Sequence, residues 1–458
     1  MSEKTYRAWR PDQAWLLPPS PRDWLPEGHL VYFLMDAVRE LDISAITAHY
    51  ERELRGYPPF HPRMMLTLLI FNYATGTRSS RKIMTRCEQD VACRVIVGED
   101  LPEFHAISEF RRRHLAAFEQ LFVEVLRLAS ASGLLKVGRL ALDGTKIKAN
   151  ASRHGLVSNR AMSDDRRQTE EARLQQEIGE LLAQAESEDQ AEDAQHGTNR
   201  RGDELPDELQ RRESRLKKIR EAKAALEEEA RTKAAAEHEA KNAGRAAEGQ
   251  EPQSINLDEI KPEPKAQRNF TDPDSKIMKA SNKGWDQCGN AQVLVDESQL
   301  IIAADVTPQA NDVRQVAPLL DQMEANFQAA EITQRPKDFV ADAGYYSDDN
   351  TQCVRSHDMV PYIATQRLKH HEELPPVPRG RIPRSLTPKQ RMARTLRTKN
   401  GRATYKKRKG QVEPVFGQIK QAGGFRQFAL RGIAKMQAEW QLVCLTHNLL
   451  KLWRAAPA

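Results

Sequence analysis

Three acidic residues stand in contexts that suit metal-assisted phosphate chemistry. Leu140-Ala141-Leu142 is an apolar run that stops on Asp143, with Gly144 next. Phe339-Val340-Ala341 is a second apolar run that stops on Asp342, with Gly344 two residues on. Glu413 lies near the start of a helical pattern over residues 411–419. A sheet holds a carboxylate at a strand end rigidly and leaves it open to substrate. Three such groups repel one another unless cations lie between them, and hard oxygen ligands with open positions suit Mg²⁺ or Mn²⁺. Two such ions, about 3.5–4 Å apart, can activate a water or a 3′-hydroxyl and stabilise the leaving oxygen of an in-line displacement.

Competing readings of the same residues are concrete. Asp143-Gly144 is also an ordinary hairpin turn, with the alternating residues 145–148 as a second, half-buried strand. Asp305 and Asp312 compete with Asp342, which is preferred because it ends a strand of the right order and Gly344 permits a tight turn. Asp272 and Asp274 fit turn capping better than catalysis. His370-His371-Glu372-Glu373 is set aside as a metal cluster, because side chains of neighbouring residues splay apart.

These residues need elements to position them. The spacing predicts helices over 29–39, 61–73 (begun by Pro62), from Ser79 or Ser80 to 86, 89–95 and 106–131. With the run Arg111-Arg112-Arg113-His114, they suggest a helix-turn-helix-like DNA-binding module. Residues 1–28, rich in Pro and Trp, read as an extended arm. Residues 163–194 and 208–242 carry heptad-like apolar seams and predict an antiparallel helical hairpin outside the core, a dimerising or DNA-clamping arm or a solvated decoration. A Gly- and Pro-punctuated linker over 244–267 follows. Short strands over 291–296 and 300–306 flank a hairpin signal, and a helix over 313–328 comes next. A strand ending at Asp342, a helix over 348–357, a strand over 361–365 and a buried closing helix over 433–453 complete the order. That order matches an RNase H-like core, whose first and fourth strands lie side by side. The expected fold class is therefore α+β. A helical N-terminal DNA-binding domain (1–133) precedes an RNase H-like catalytic domain with a mixed five-stranded sheet (134–155 and 269–458). A charged helical-hairpin insertion with a flexible linker (156–268) interrupts the latter.

Composition narrows the setting. Among 458 residues 39% are hydrophobic and 29% charged, so much of the chain must be solvated helix or linker. Residues 367–420 hold 16 Lys and Arg against 3 Asp and Glu, a block that suits phosphate contacts or a solvated tail. Five scattered cysteines without CxxC spacing argue for reduced thiols and against structural zinc. No apolar run approaches the roughly 18 residues of a membrane span, so a cytoplasmic, nucleoid-associated protein without membrane contact is expected.

Several stretches together resemble a known family. They are Leu142-Asp143-Gly144-Thr145-Lys146 with Ala149-Asn150; Thr271-Asp272-Pro273-Asp274-Ser275; and Ala341-Asp342-Ala343-Gly344-Tyr345. Val412-Glu413-Pro414-Val415-Phe416-Gly417-Gln418-Ile419-Lys420, residues 425–432, and His61-Pro62 with Phe110-Arg111 complete the set. The chain resembles the bacterial insertion-sequence DDE transposases with an InsH-type N-terminal domain, in the branch with a long charged insertion. The resemblance implies Asp143, Asp342 and Glu413 as catalytic ligands of two Mg²⁺ or Mn²⁺ ions. It implies double-stranded DNA as partner (transposon ends and target) and a homodimer or higher oligomer on DNA. The activity implied is binding of terminal inverted repeats, phosphodiester cleavage and transfer of 3′-hydroxyl ends to target DNA. A nuclease of the same fold, or a decayed DNA-binding scaffold, are the alternatives. The family signature around its Glu implies DNA contacts by Tyr405, Arg408 or Lys409, and Lys420; the basic run of the N-terminal module adds Arg111 and Arg112. Four residues separate Arg408 from Glu413, one more than in that signature, whereas Lys409 has the usual spacing. Cys288 stands where relatives often carry an aromatic, a packing change only.

Overall fold

The computed structural model describes residues 20–52, 58–151, 156–158, 207–247, 267–269, 272–279, 284–366 and 385–456, with a few shorter stretches between them. The first arm of the expected hairpin, residues 163–194, lies outside the described residues apart from Gln176. So do most of the N-terminal arm and the His370–Glu373 run.

The chain after residue 138 is built on a mixed open sheet. Its strands are β1 (Arg139–Lys148), β4 (Lys276–Lys279), β5 (Trp285–Val295), β6 (Ile301–Thr307), β7 (Asp338–Ala341) and β8 (Val360–Ile363); β2 (Leu156–Ser158) and β3 (Gln267–Asn269) pair separately. From one edge the order is β4 and β6, both on β5, then β1, β7 and β8. β5 runs antiparallel to β1, whereas β7 and β8 run parallel to it. This is the RNase H-like arrangement, with β4 as a sixth, short strand. Leu140, Ala141 and Leu142 are fully buried, as are Phe339, Val340 and Ala341. Successive side chains point to opposite faces, so both faces of these central strands are covered.

One local expectation is overturned here. Gly144 does not turn the chain: β1 continues through it to Lys148, pairing Asp143 with Val293 and Gly144 with Gln292. The reason is the long partner β5, which keeps the ladder unbroken past the carboxylate. What changes at Asp143 is burial, since residues 143–146 are half-buried after four buried ones.

Helices α1 (Leu30–Glu40), α2 (Ser44–Glu51), α3 (Pro62–Ala74), α4 (Ser80–Gln89), α5 (Val91–Val97), α6 (Phe104–Arg113) and α7 (Ala117–Ala131) form the N-terminal region. Pro62 opens α3 at a first-turn position, where its missing N–H costs nothing. The expected single helix over 106–131 is two, because the chain breaks at residues 114–116. The second insertion arm is one helix, α8 (Asp207–Ala247), which absorbs the start of the expected linker. α9 (Val316–Ala329), α10 (Asp348–Ser356), α11 (Pro388–Arg397), α12 (Lys399–Gly417) and α13 (Ile433–Ala455) complete the chain.

α12 begins twelve residues before the helix expected at residue 411. It carries Pro414, which leaves the carbonyl four residues back, on Gly410, without its helical N–H. The Gln299 side-chain amide donates to that carbonyl at 2.9 Å. α13 is buried along most of its length. Its Trp440 indole donates to the Gln292 carbonyl at 3.1 Å, and its Asn448 amide donates to the Ile301 carbonyl at 2.8 Å while its oxygen accepts from the Ile301 N–H. Asp272 and Asp274 accept from Gly432 and Ile433 N–H groups at the start of α13, so they cap a distant helix where capping of their own turn was expected. The apolar core runs without a break from α1 to α13.

Candidate active site

The register of the parallel pair β1–β7 builds the site. Leu142 pairs with Ala341, the last residue of β7, so Asp143 and Asp342 follow at neighbouring positions. Asp342 is fixed by its own turn: its Oδ1 accepts the Gly344 N–H at 2.8 Å. Asp143 Oδ2 accepts from Arg408 Nη1 of α12 at 2.7 Å, with the two side chains only 22% and 14% exposed. Burial pushes the Asp143 carboxyl up from its ordinary range, and the Asp342 charge adds to this while Arg408 opposes it. Burial likewise raises the Tyr405 hydroxyl, which lies one turn before Arg408 on the same face of α12 and interacts with it.

α12 is docked on β1 by more than the ion pair. Arg139 Nε donates to Gln411 Oε1 at 2.7 Å, and the Gln411 amide donates back to the Arg139 carbonyl. Beyond α12 a π-helical turn, Gln418–Ala422, carries Lys420. Its ammonium reaches the Thr145 hydroxyl and, at 3.2 Å, the Lys146 carbonyl. Burial lowers the Lys420 pKa. Asp143 and Thr145 alternate onto one face of β1, so Arg408 and Lys420 meet the strand on that face.

The other face holds a polar network that sequence reasoning missed. Gln292 stands opposite Gly144 across the β1–β5 ladder, and its amide lies where a Cβ on residue 144 would project. Its Nε2 donates to Asn290 Oδ1 and Asp312 Oδ1, both at 2.9 Å. Asn290 Nδ2 and Lys146 Nζ reach the same Asp312 oxygen at 2.7 and 3.1 Å. The Tyr345 hydroxyl donates to Gln292 Oε1. Burial, then the charges of Asp312, Asp143 and Asp342, hold that phenol well above its ordinary pKa. Two polar residues at alternate positions of the otherwise apolar stretch 288–295, Asn290 and Gln292, were the available sequence signal. Asp305 lies elsewhere, bonded to Gln437 of α13.

The remaining expected site residues distribute as follows. Glu413 is exposed on α12, and among the described residues no hydrogen bond or ion pair engages its side chain. No group of three His, Cys, Asp or Glu poised to hold one ion occurs among the described residues. Lys409 is exposed on α12, and Arg112 is exposed and paired with Glu109. Arg111 does not face outward: it is 7% exposed, and its guanidinium donates to the Arg78 carbonyl and the Tyr73 hydroxyl. The phenol in turn donates to the buried Glu439. Being the inward member of the basic run, Arg111 is an interior countercharge rather than a surface DNA contact.

Comparison with known families accords with this geometry. Residues 262–449 match the transposase DDE domain, and residues 19–113 match a transposase domain of the DUF772 type. Together the two matches span more than half of the chain, in the order found in the sequence. The chain belongs to the DDE transposases. No curated protein and no solved structure matches it. As a DDE transposase it serves DNA transposition, and DNA is what it acts on. No helix among the described residues is long and apolar enough to cross a membrane.

The family uses divalent metal ions, and the donor set fits one. Asp143 and Asp342 offer hard oxygens side by side, and Asp143 already draws a cationic group, the Arg408 guanidinium. Two carboxylates with open positions left for water and phosphate oxygens suit Mg²⁺.

Proposed function

We propose that this transposase binds the inverted repeats at the ends of its element, cleaves phosphodiester bonds there and joins the 3′-hydroxyl ends to target DNA. Asp143 and Asp342 act as metal ligands, with Glu413 as the third. The observation that carries the reading is the β1–β7 register, which makes neighbours of two carboxylates far apart in the chain. Glu413 is assigned by its place in the Val412–Lys420 motif, on the helix whose Arg408 and whose continuation at Lys420 both reach β1. Asp312 is the weaker candidate, because one of its oxygens already accepts three N–H donors.

When bound, the metal ions supply Lewis acidity and charge stabilisation at the reacting phosphate. The chain's own residues position and neutralise. Asp342 is held in place by its turn, and Asp143 by its pairing with Val293 of β5 directly after the last β1–β7 pair. Lys420, packed against Thr145 and poorly solvated, offers a positive charge for a phosphate close to Asp143. Tyr405, Lys409 and Arg112 extend the contacts to the DNA backbone.

The test is a joining assay. Labelled duplexes carrying the repeats that flank the coding sequence are incubated with plasmid, Mg²⁺ and the full chain. Covalent end–plasmid products are expected. Hydrolysed ends alone would instead mean a nuclease on the same fold.

A further inference from the structure

Arg408 is the only cationic side chain among the described residues that forms an ion pair with Asp143. The contact is short, shielded from solvent and braced. Asp143 is paired to Val293 of β5 and follows the last β1–β7 pair, and α12 is pinned to β1 by the reciprocal Arg139–Gln411 bonds. A guanidinium held in this way neutralises a buried carboxylate that also faces Asp342, which would otherwise be left unpaired at a cost. It also occupies Oδ2, while Oδ1 already accepts the Gly144 N–H at 2.9 Å, so both oxygens of the carboxylate are engaged. From this pair, and on the reading of Asp143 and Asp342 as metal ligands, we infer that Arg408 is a built-in countercation that competes with the divalent ion for Asp143. Metal loading must displace the guanidinium from Oδ2, so Arg408 weakens metal affinity while it holds the empty site together. It is a positioning residue whose charge moves aside.

Binding of Mn²⁺ alone to the full chain, followed by the electron-paramagnetic signal of free Mn²⁺, tests this without any reaction. Arg408→Gln is expected to bind Mn²⁺ roughly tenfold more tightly than the unchanged chain, the scale at which close charge pairs couple. Arg408→Lys, which keeps the charge, should fall between the two. Thermal melting in EDTA should show Arg408→Gln less stable than the unchanged chain, with the difference shrinking as Mn²⁺ is added. The Asp143→Asn variant, alone and combined with Arg408→Gln, shows which binding depends on Asp143. Binding that depends on Asp143 but is unchanged or weaker in Arg408→Gln overturns the countercation role and leaves the metal reading intact. Absence of any binding that depends on Asp143 overturns both.

Discussion

Asp143 and Asp342 follow directly on Leu142 and Ala341, the last pair of the parallel β1–β7 ladder, so two residues from distant parts of the chain are neighbours. Each is held by a different local device, an unbroken strand for one and a capped turn for the other. Asp143→Asn and Asp342→Asn should each slow end cleavage by on the order of a thousandfold, several kcal/mol of lost charge stabilisation. End binding in a gel-shift assay should persist. Retained cleavage in either variant would rule that carboxylate out.

Glu413 is exposed and unengaged, so its removal should be visible in chemistry alone. Glu413→Gln should reduce cleavage at least about a hundredfold while stability changes by less than about 0.5 kcal/mol, as for most surface substitutions. Asp312→Asn offers the contrast: it weakens a shared acceptor of three donors and should lower the melting temperature. The pair of melting curves and cleavage rates separates a third ligand from a supporting residue.

Gly144 faces Gln292 without room for a side chain. Gly144→Ala should destabilise the protein by about 1–3 kcal/mol, as overpacking does. Gln292→Ala in the same chain should recover part of that loss, because it removes the obstructing amide. A denaturant series on the two single variants and the double variant reads the coupling directly.

Arg111 and Arg112 adjoin in sequence and differ in burial. Arg111→Ala removes the positive charge that favours the buried Glu439 carboxylate and should cost about 3 kcal/mol of stability. Arg112→Ala should cost less than about 0.5 kcal/mol, since it loses only an exposed pair with Glu109. Equal effects in urea unfolding would contradict the difference in placement.

His447 is buried in α13, with Nε2 bonded to the Gln299 carbonyl at 2.8 Å. Burial lowers its pKa to about 4. The unfolded chain takes up that proton near pH 6.5, so between those values it binds more protons than the folded one, and stability falls as pH drops through this window. Between pH 7 and 4, His447→Gln should therefore lose less stability than the unchanged chain, by about 2 kcal/mol, read as the difference between the two proteins' melting curves.

The local character of most elements is determined by the sequence itself. Pro62 starts α3, the apolar runs make β1 and β7, and the apolar circumference of residues 433–453 makes α13 a buried helix. The strand order implied an RNase H-like sheet, and with it the meeting of Asp143 and Asp342. What the tertiary structure alone decided concerns long-range pairing. Gly144 has the local signature of a turn, yet β5 carries the ladder through it, because cross-strand hydrogen bonds override a dipeptide preference. Residues 425–432 and Asn150 read as separate motifs, but the Asn150 side chain donates to the Ala429 carbonyl and Arg431 donates back to the Asn150 carbonyl. Burial decided the arginines: helical spacing places residues on a face, and only the packing of α6 on its neighbours turns Arg111 inward. The Arg408–Asp143 pair is of the same kind, since a separation of 265 positions in the chain leaves no local pattern to join them.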